Sequence, residues 1–226
     1  MHCIHRISTR WLLGCLVLFL SACQSTAGYQ DYTMTHADSV QEEALRNRAW
    51  DSINQIQHLI RTGDLITRTG NDFTSESLRS LNQRNKDYSH CGIASIEHDS
   101  VFVYHALGGE WNPDQKIRRD PIALFAEPYS NKGFGIFRFS ITETLLKQIV
   151  AKAREHYQQG VMFDRSFDLK TDDHMYCAEF VYKTMVAGSG GFLQFPHSYI
   201  GQFEFIGVDD LFMHPQCQIG STRLNS

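Results

Sequence analysis

The 226-residue sequence lacks any apolar run long enough to cross a bilayer as a permanent helix, which takes about 20 residues. It has no run of lysines and arginines, and its formal net charge is −4, which argues against nucleic acid as a partner. No internal repeat is visible, which sets aside solenoids. There is neither the Gly-x-Ser-x-Gly elbow of a serine hydrolase nor a phosphate-binding P-loop. His174-x-x-Cys177 and His214-x-x-Cys217 come nearest to a metal pattern, but neither forms a strong paired ligand set, so no metal and no cofactor is expected.

What is present begins with a basic start, His2, His5, Arg6 and Arg10, followed by an uncharged, mostly apolar run from Trp11 to Leu20. At about 10 residues that run fits the core of a secretory signal. Leu20-Ser21-Ala22-Cys23 then resembles the bacterial lipobox. The resemblance implies cleavage before Cys23 and lipid on its sulfur, where each buried methylene contributes about 0.8 kcal/mol to anchoring. Gln24 rather than Asp after the Cys is similar to Gram-negative lipoproteins sorted to the outer membrane. The expected organisation is a signal peptide over 1–22, a lipidated Cys and flexible tether over 23–39, and one domain over 40–226. The expected location is the cell envelope, at the outer membrane facing the periplasm. Without the signal the chain keeps 19 basic and 25 acidic residues, a formal charge near −6. The oligomeric state is left open.

Cys3 and Cys15 leave with the signal and Cys23 is committed to lipid, so only Cys91, Cys177 and Cys217 remain. An odd number leaves at least one thiol without an intramolecular partner. A Cys91–Cys217 bridge with Cys177 free is one arrangement; free cysteines as small core residues are another.

Leu45, Ala49, Ile53, Ile56 and Ile60 recur at helical spacing and predict an amphipathic helix over Val40–Ile60. Asp64–Thr69 reads as a strand and Ser75–Gln83 as a short helix. Ser89–Ile96 and Val101–Leu107 read as a hairpin turning through Glu97-His98-Asp99-Ser100. Glu110–Lys132 carries Pro113, Pro121 and Pro128 and reads mostly as loop. Phe134–Phe139 is a strand candidate. Ser140, with Glu143 three residues on, predicts a capped helix over Ile141–Gln158 that stops at Gly160. Tyr176–Ala187 is a further helix. The aromatic stretch Phe192–Phe212 reads as core, or as a groove for acyl chains. Strands followed by helices suggest an α+β fold.

Within Met175-Tyr176-Cys177-Ala178-Glu179-Phe180-Val181-Tyr182, Cys177 falls at a predicted helix start, where free N–H groups and the positive helix end stabilise a thiolate and could hold an oxyanion. A nucleophilic Cys needs a base. His90 shares a predicted strand face with Gly92 and Ala94, small residues that leave room for the Cys177 helix to approach. Cys91 points to the other face and reads as core. A turn at His98-Asp99 puts His105 on the face of His90, one diagonal step away, where it could fix the tautomer of the base.

Ser89-His90-Cys91-Gly92-Ile93, Val103-Tyr104-His105-Ala106 and Tyr176-Cys177-Ala178-Glu179-Phe180-Val181-Tyr182 together resemble the YaeF/YiiX family, permuted relatives of the NlpC-type, papain-like amidases. Gly63-Asp64-Leu65-Ile66 is similar to the family's opening strand and Phe163-Asp164 to its segment before the nucleophile helix; the resemblance spans roughly Ile60 to Ala187. It implies a circularly permuted papain-like (NlpC-type) fold with a small antiparallel sheet packed against helices. It implies a cysteine hydrolase in which Cys177 attacks a carbonyl, His90 takes the thiol proton and His105 holds the third polar position. Many relatives carry Glu at that third position; a His there resembles the lecithin:retinol acyltransferase relatives. The substrate is then either a murein peptide or an amide or ester of a lipid. The alternative is a non-catalytic envelope lipoprotein that keeps the fold as a binding module. Tyr176 and Asp64 are candidates to line the site, with no role assigned.

Overall fold

The computed structural model describes residues 36–109 and 112–224. The signal segment and the lipidation candidate Cys23 lie outside the described residues. Helices span α1 His36–Ile56, α2 Phe73–Leu81, α3 Ile122–Phe125, α4 Glu143–Gln159, α5 Cys177–Gly188 and α6 Val208–Phe212. Strands span β1 Leu65–Gly70, β2 His90–Glu97, β3 Ser100–His105, β4 Arg118–Pro121, β5 Asn131–Phe139, β6 Ser198–Ile200, β7 Phe203–Phe205 and β8 Cys217–Leu224. α1 therefore starts inside the segment expected to be tether. Among the described residues no helix is long and apolar enough to cross a membrane.

Six strands form one sheet in the order β4-β3-β2-β1-β5-β8, with every neighbouring pair antiparallel; β6 and β7 make a separate hairpin. The strands alternate as their residues require. Leu65, Cys91, Ile93, Tyr104 and Phe137 bury one face under α4, α5 and α6. Ile66, Ala94, Val103, Phe134 and Ile136 bury the other against Ile53 of α1 and against Ile122 and Phe125 of α3. The molecule is thus a mixed helix and sheet structure with a core on each side of an antiparallel sheet.

The hairpin turns at His98 and Asp99, both with positive φ (48° and 63°), as a two-residue hairpin turn needs. α4 is capped by Thr142 rather than Ser140, the Thr142 hydroxyl accepting from the Leu145 N–H, and it ends at Gly160 in the left-handed region (φ 69°). The Glu110–Lys132 segment, expected to be mostly loop, also carries short regular elements. It holds β4 and α3, and β5 starts at Asn131. Of the aromatic stretch, Phe195, Phe205 and Phe212 are core, while Phe192, Tyr199 and Phe203 are exposed.

Asp64, buried at the start of β1, accepts two bonds from Arg138, 2.8 Å from Nε and 2.6 Å from Nη2. Its role is to join β1 to β5. Arg138→Ala leaves that carboxylate buried without its cation, so it is expected to cost about 3 kcal/mol, read as a lower urea midpoint; an unchanged midpoint refutes it.

Candidate active site

Cys177 is the first residue of α5 and follows the cap residue Tyr176. The start of this helix is fixed from both sides. The buried Glu179 carboxylate accepts from the Tyr176 N–H at 3.2 Å. The Tyr176 hydroxyl donates to the Ile206 carbonyl at 3.3 Å and accepts from the Ile206 N–H at 2.7 Å. Tyr176 thus ties the helix start to the segment before α6. Phe180, Val181 and Met185 are wholly buried beneath it.

The thiol of Cys91 hydrogen-bonds Cys177 and is the largest influence holding the Cys177 thiol below its ordinary value. Burial opposes this; the N–H groups of Ala178 and Cys91 and the charge of Arg68 reinforce it. Cys91 shifts the other way, well above the ordinary thiol value, because it is buried and faces the developing charge on Cys177. Cys91 is therefore the donor of the pair and Cys177 the acceptor. All three described cysteines are free, so no Cys91–Cys217 bridge forms. Cys91→Ala removes the donor and is expected to move the pH midpoint of iodoacetamide labelling at Cys177 upward; an unmoved midpoint would show that the second thiol is mere packing.

On the opposite face of β2, His90 Nε2 lies 2.8 Å from His105 Nδ1, and His105 Nε2 lies 3.1 Å from Asp120 Oδ2. Arg118 clamps Asp120 from Nε to Oδ2 and from Nη2 to Oδ1, both 2.8 Å. Burial would raise Asp120, but the bonds from His105 and Arg118 outweigh it and bring it down to about 2. Burial takes His105 down to about 4 against the pull of Asp120. Burial, then the charge of Arg68, then His105 push His90 well below the usual imidazole value. At neutral pH both rings are neutral, and this fixes every proton in the chain. A carboxylate only accepts, so His105 carries its hydrogen on Nε2 and presents a bare Nδ1. His90 must then donate from Nε2, which leaves its own Nδ1 as the free base nitrogen. Phe125 packs against both rings, at 5.7 Å from His90 and 5.0 Å from His105, and against the Arg68 guanidinium at 5.0 Å.

His90 and His105 thus lie together. Cys177 comes to β2 from the other face: α5 packs on the side of Cys91, not on the side of Gly92 as the small residues had suggested. The space beside Gly92 belongs to β3, since a Cβ there would lie 2.7 Å from the Tyr104 carbonyl oxygen and 2.9 Å from His105 Cβ. Among the described residues no hydrogen bond joins Cys177 to His90. Cys91 is the bridge, adjacent to His90 in the chain and bonded to Cys177, and Arg68, paired across the ladder with His90, acts on both. Cys177 and His90 each keep 7% of their surface exposed.

Arg68, Arg118 and Asp120 escaped the sequence reading, as did the partnership of Cys91. Arg118 and Asp120 alternate on an edge strand, a signal hidden in a charged segment ending at Pro121. Of the metal candidates, His174 pairs with Asp173 at 3.1 Å, and His214 Nε2 meets the Gln194 carbonyl at 3.0 Å.

One solved structure resembles the fold. The chain shares its fold with YiiX. That protein, described as metalloprotein YiiX from Escherichia coli O157:H7, superposes with a TM-score of 0.58 at 17% identity over 74% of this chain and 97% of its own. No family model matches the sequence, and no curated protein matches it. Among the described residues of this chain no three His, Cys, Asp or Glu side chains gather as a metal set, and the facing nitrogens of His90 and His105 bond each other. The residues at this site therefore do not make a metal-ligand set.

Proposed function

We propose that the chain is an envelope cysteine hydrolase with a permuted papain-like fold, working through a thioacyl-enzyme on an amide or ester. The observation that carries the reading is the ordered chain Asp120–His105–His90, which leaves one bare imidazole nitrogen at the strand end whose next residue touches a thiol on a helix start. In the proposed reaction the Cys177 sulfur attacks the carbonyl carbon. Its proton is taken up by His90 Nδ1, by way of a water where the two groups do not touch. The resulting imidazolium is stabilised through His105 by Asp120. The N–H groups at the start of α5 take the oxyanion. His90 returns the proton to the leaving amine or alcohol. Water, activated by the same nitrogen, then cleaves the thioester.

Lipidation at Cys23 would hold this domain at the outer membrane, within reach of murein peptides and lipid acyl groups. Incubating the full-length protein with envelope lipids and, separately, with murein fragments tests the function. Mass spectrometry should find loss of an acyl group or of a peptide; no change in either, beside an unmodified Cys177, overturns it. One observation favours a non-catalytic binding module: the low exposure of Cys177 and His90.

A further inference from the structure

Cys91 and Cys177 are two free thiols that the fold brings into hydrogen-bond contact. Cys91 lies on β2 and points to the face that α5 covers; Cys177 begins α5, and both belong to one buried cluster. Each is held from its own side. β2 is laddered to β1, with Thr67 opposite Cys91, and to β3 from Ile93 onward. The start of α5 is tied down by Glu179 and by the Tyr176 hydroxyl. A disulfide needs the two sulfurs to close only from contact to about 2 Å. A hydroxyl in place of the Cys91 thiol would donate to Cys177 equally well. What a second sulfur adds is redox chemistry.

The two thiols differ in a way that assigns their roles. Cys177 keeps 7% of its surface exposed and Cys91 none. A small oxidant therefore meets Cys177 first, and a protein-sized one reaches neither. The hydrogen bond from Cys91 holds the Cys177 thiol below its ordinary value, which favours the nucleophilic thiolate. Burial and the same bond hold Cys91 well above its ordinary value, so it stays a thiol until a reactive sulfur appears beside it.

We propose that Cys177 and Cys91 are a peroxide-sensitive pair, an oxidation site that closes into a reversible disulfide between α5 and β2. The Cys177 thiolate attacks one oxygen of hydrogen peroxide; the O–O bond breaks, hydroxide leaves, and Cys177 becomes a sulfenic acid. The Cys91 sulfur then attacks the Cys177 sulfur. The S–O bond breaks and the hydroxyl leaves as water with the Cys91 proton. The pair loses two electrons and two protons, and the peroxide ends as two waters. The bridge itself is independent of the hydrolase reading; only its consequence, the loss of the nucleophile, rests on that reading.

The test treats the full-length chain with a modest molar excess of hydrogen peroxide, with no substrate present, then alkylates in denaturant and maps the cysteines by mass spectrometry. A linked Cys91–Cys177 peptide, lighter than the sum of its parts by two hydrogens, is expected. Cys217, pushed up to about 12 by burial, should be recovered alkylated. Dithiothreitol should return both thiols. In Cys91→Ala the Cys177 sulfur should instead run on to a sulfinic acid that dithiothreitol does not reverse. In the parent chain, Cys91 recovered alkylated beside an oxidised Cys177, or a bridge from Cys177 to Cys217, overturns the proposal; this reading holds whether or not the variant folds. Because the bridge is read by mass, it can fail while ester turnover stands, and it can form in a chain that turns nothing over. Where the parent does turn over ester, activity should fall in proportion to the fraction bridged and return with dithiothreitol; full turnover by a fully bridged chain overturns the switch.

Discussion

The Cys177→Ala variant is expected to release p-nitrophenol from a p-nitrophenyl acyl ester at least about 10⁴-fold more slowly than the parent chain, the scale of loss when a nucleophile is removed. The parent should also gain the mass of the acyl group at Cys177 in a quenched reaction, and the variant should not. Alanine fits the site with little disturbance, since Cys177 is a small side chain at the first turn of a helix whose buried contacts come from Phe180, Val181 and Met185. Equal turnover by the two chains would remove Cys177 from the chemistry. The thiol is held below its ordinary pKa by neighbours rather than by exposure. Cys91 donates to it, two backbone N–H groups point at it, and Arg68 adds positive charge.

Asp120→Asn is expected to lower the same turnover by about 10²–10⁴-fold while leaving the fold intact. The carboxylate now accepts from His105 and from Arg118 at once. An amide has one accepting atom, so in either orientation it sets its NH₂ against a donor. If the NH₂ faces His105, the whole chain reverses: His105 donates from Nδ1, His90 accepts at Nε2, and His90 Nδ1 becomes N–H and loses its basicity. The pH profile adds a sign. His90 must be neutral to accept a proton and its pKa lies well below the usual imidazole value, so activity should persist below pH about 6.5, where an ordinary histidine would already be protonated. An acid limb at or above that value, or an Asp120→Asn chain as active as the parent, would break the assigned order of protons.

Much of this arrangement was legible in local sequence. The hairpin register followed from the turn at His98-Asp99, and the register alone sets His105 beside His90. The helix start at Cys177 followed from polar residues giving way to Ala178, Phe180 and Val181. What local pattern did not carry was anything decided by partners distant in the chain. β4 has no apolar alternation, because it is an edge strand whose ladder is set by β3 and whose last residue, Pro121, has no N–H to offer. Asp120 therefore read as loop. β8, the other edge, went unseen for the same kind of reason. Cys91 read as core because it points away from His90. It does, but α5 lies on that face, and the residue set aside is the one that touches Cys177.

The account rests on Cys177 being a thiol whose reactivity depends on His90, its proposed base. The most direct measurement maps iodoacetamide labelling of Cys91, Cys177 and Cys217 by mass spectrometry as pH is raised, in the parent chain and in His90→Ala. Cys177 should label first, with a midpoint below that of an ordinary thiol, and more slowly in His90→Ala. Cys217, pushed up to about 12 by burial, should lag far behind. Labelling of Cys217 ahead of Cys177, or a Cys177 rate indifferent to His90, would contradict it.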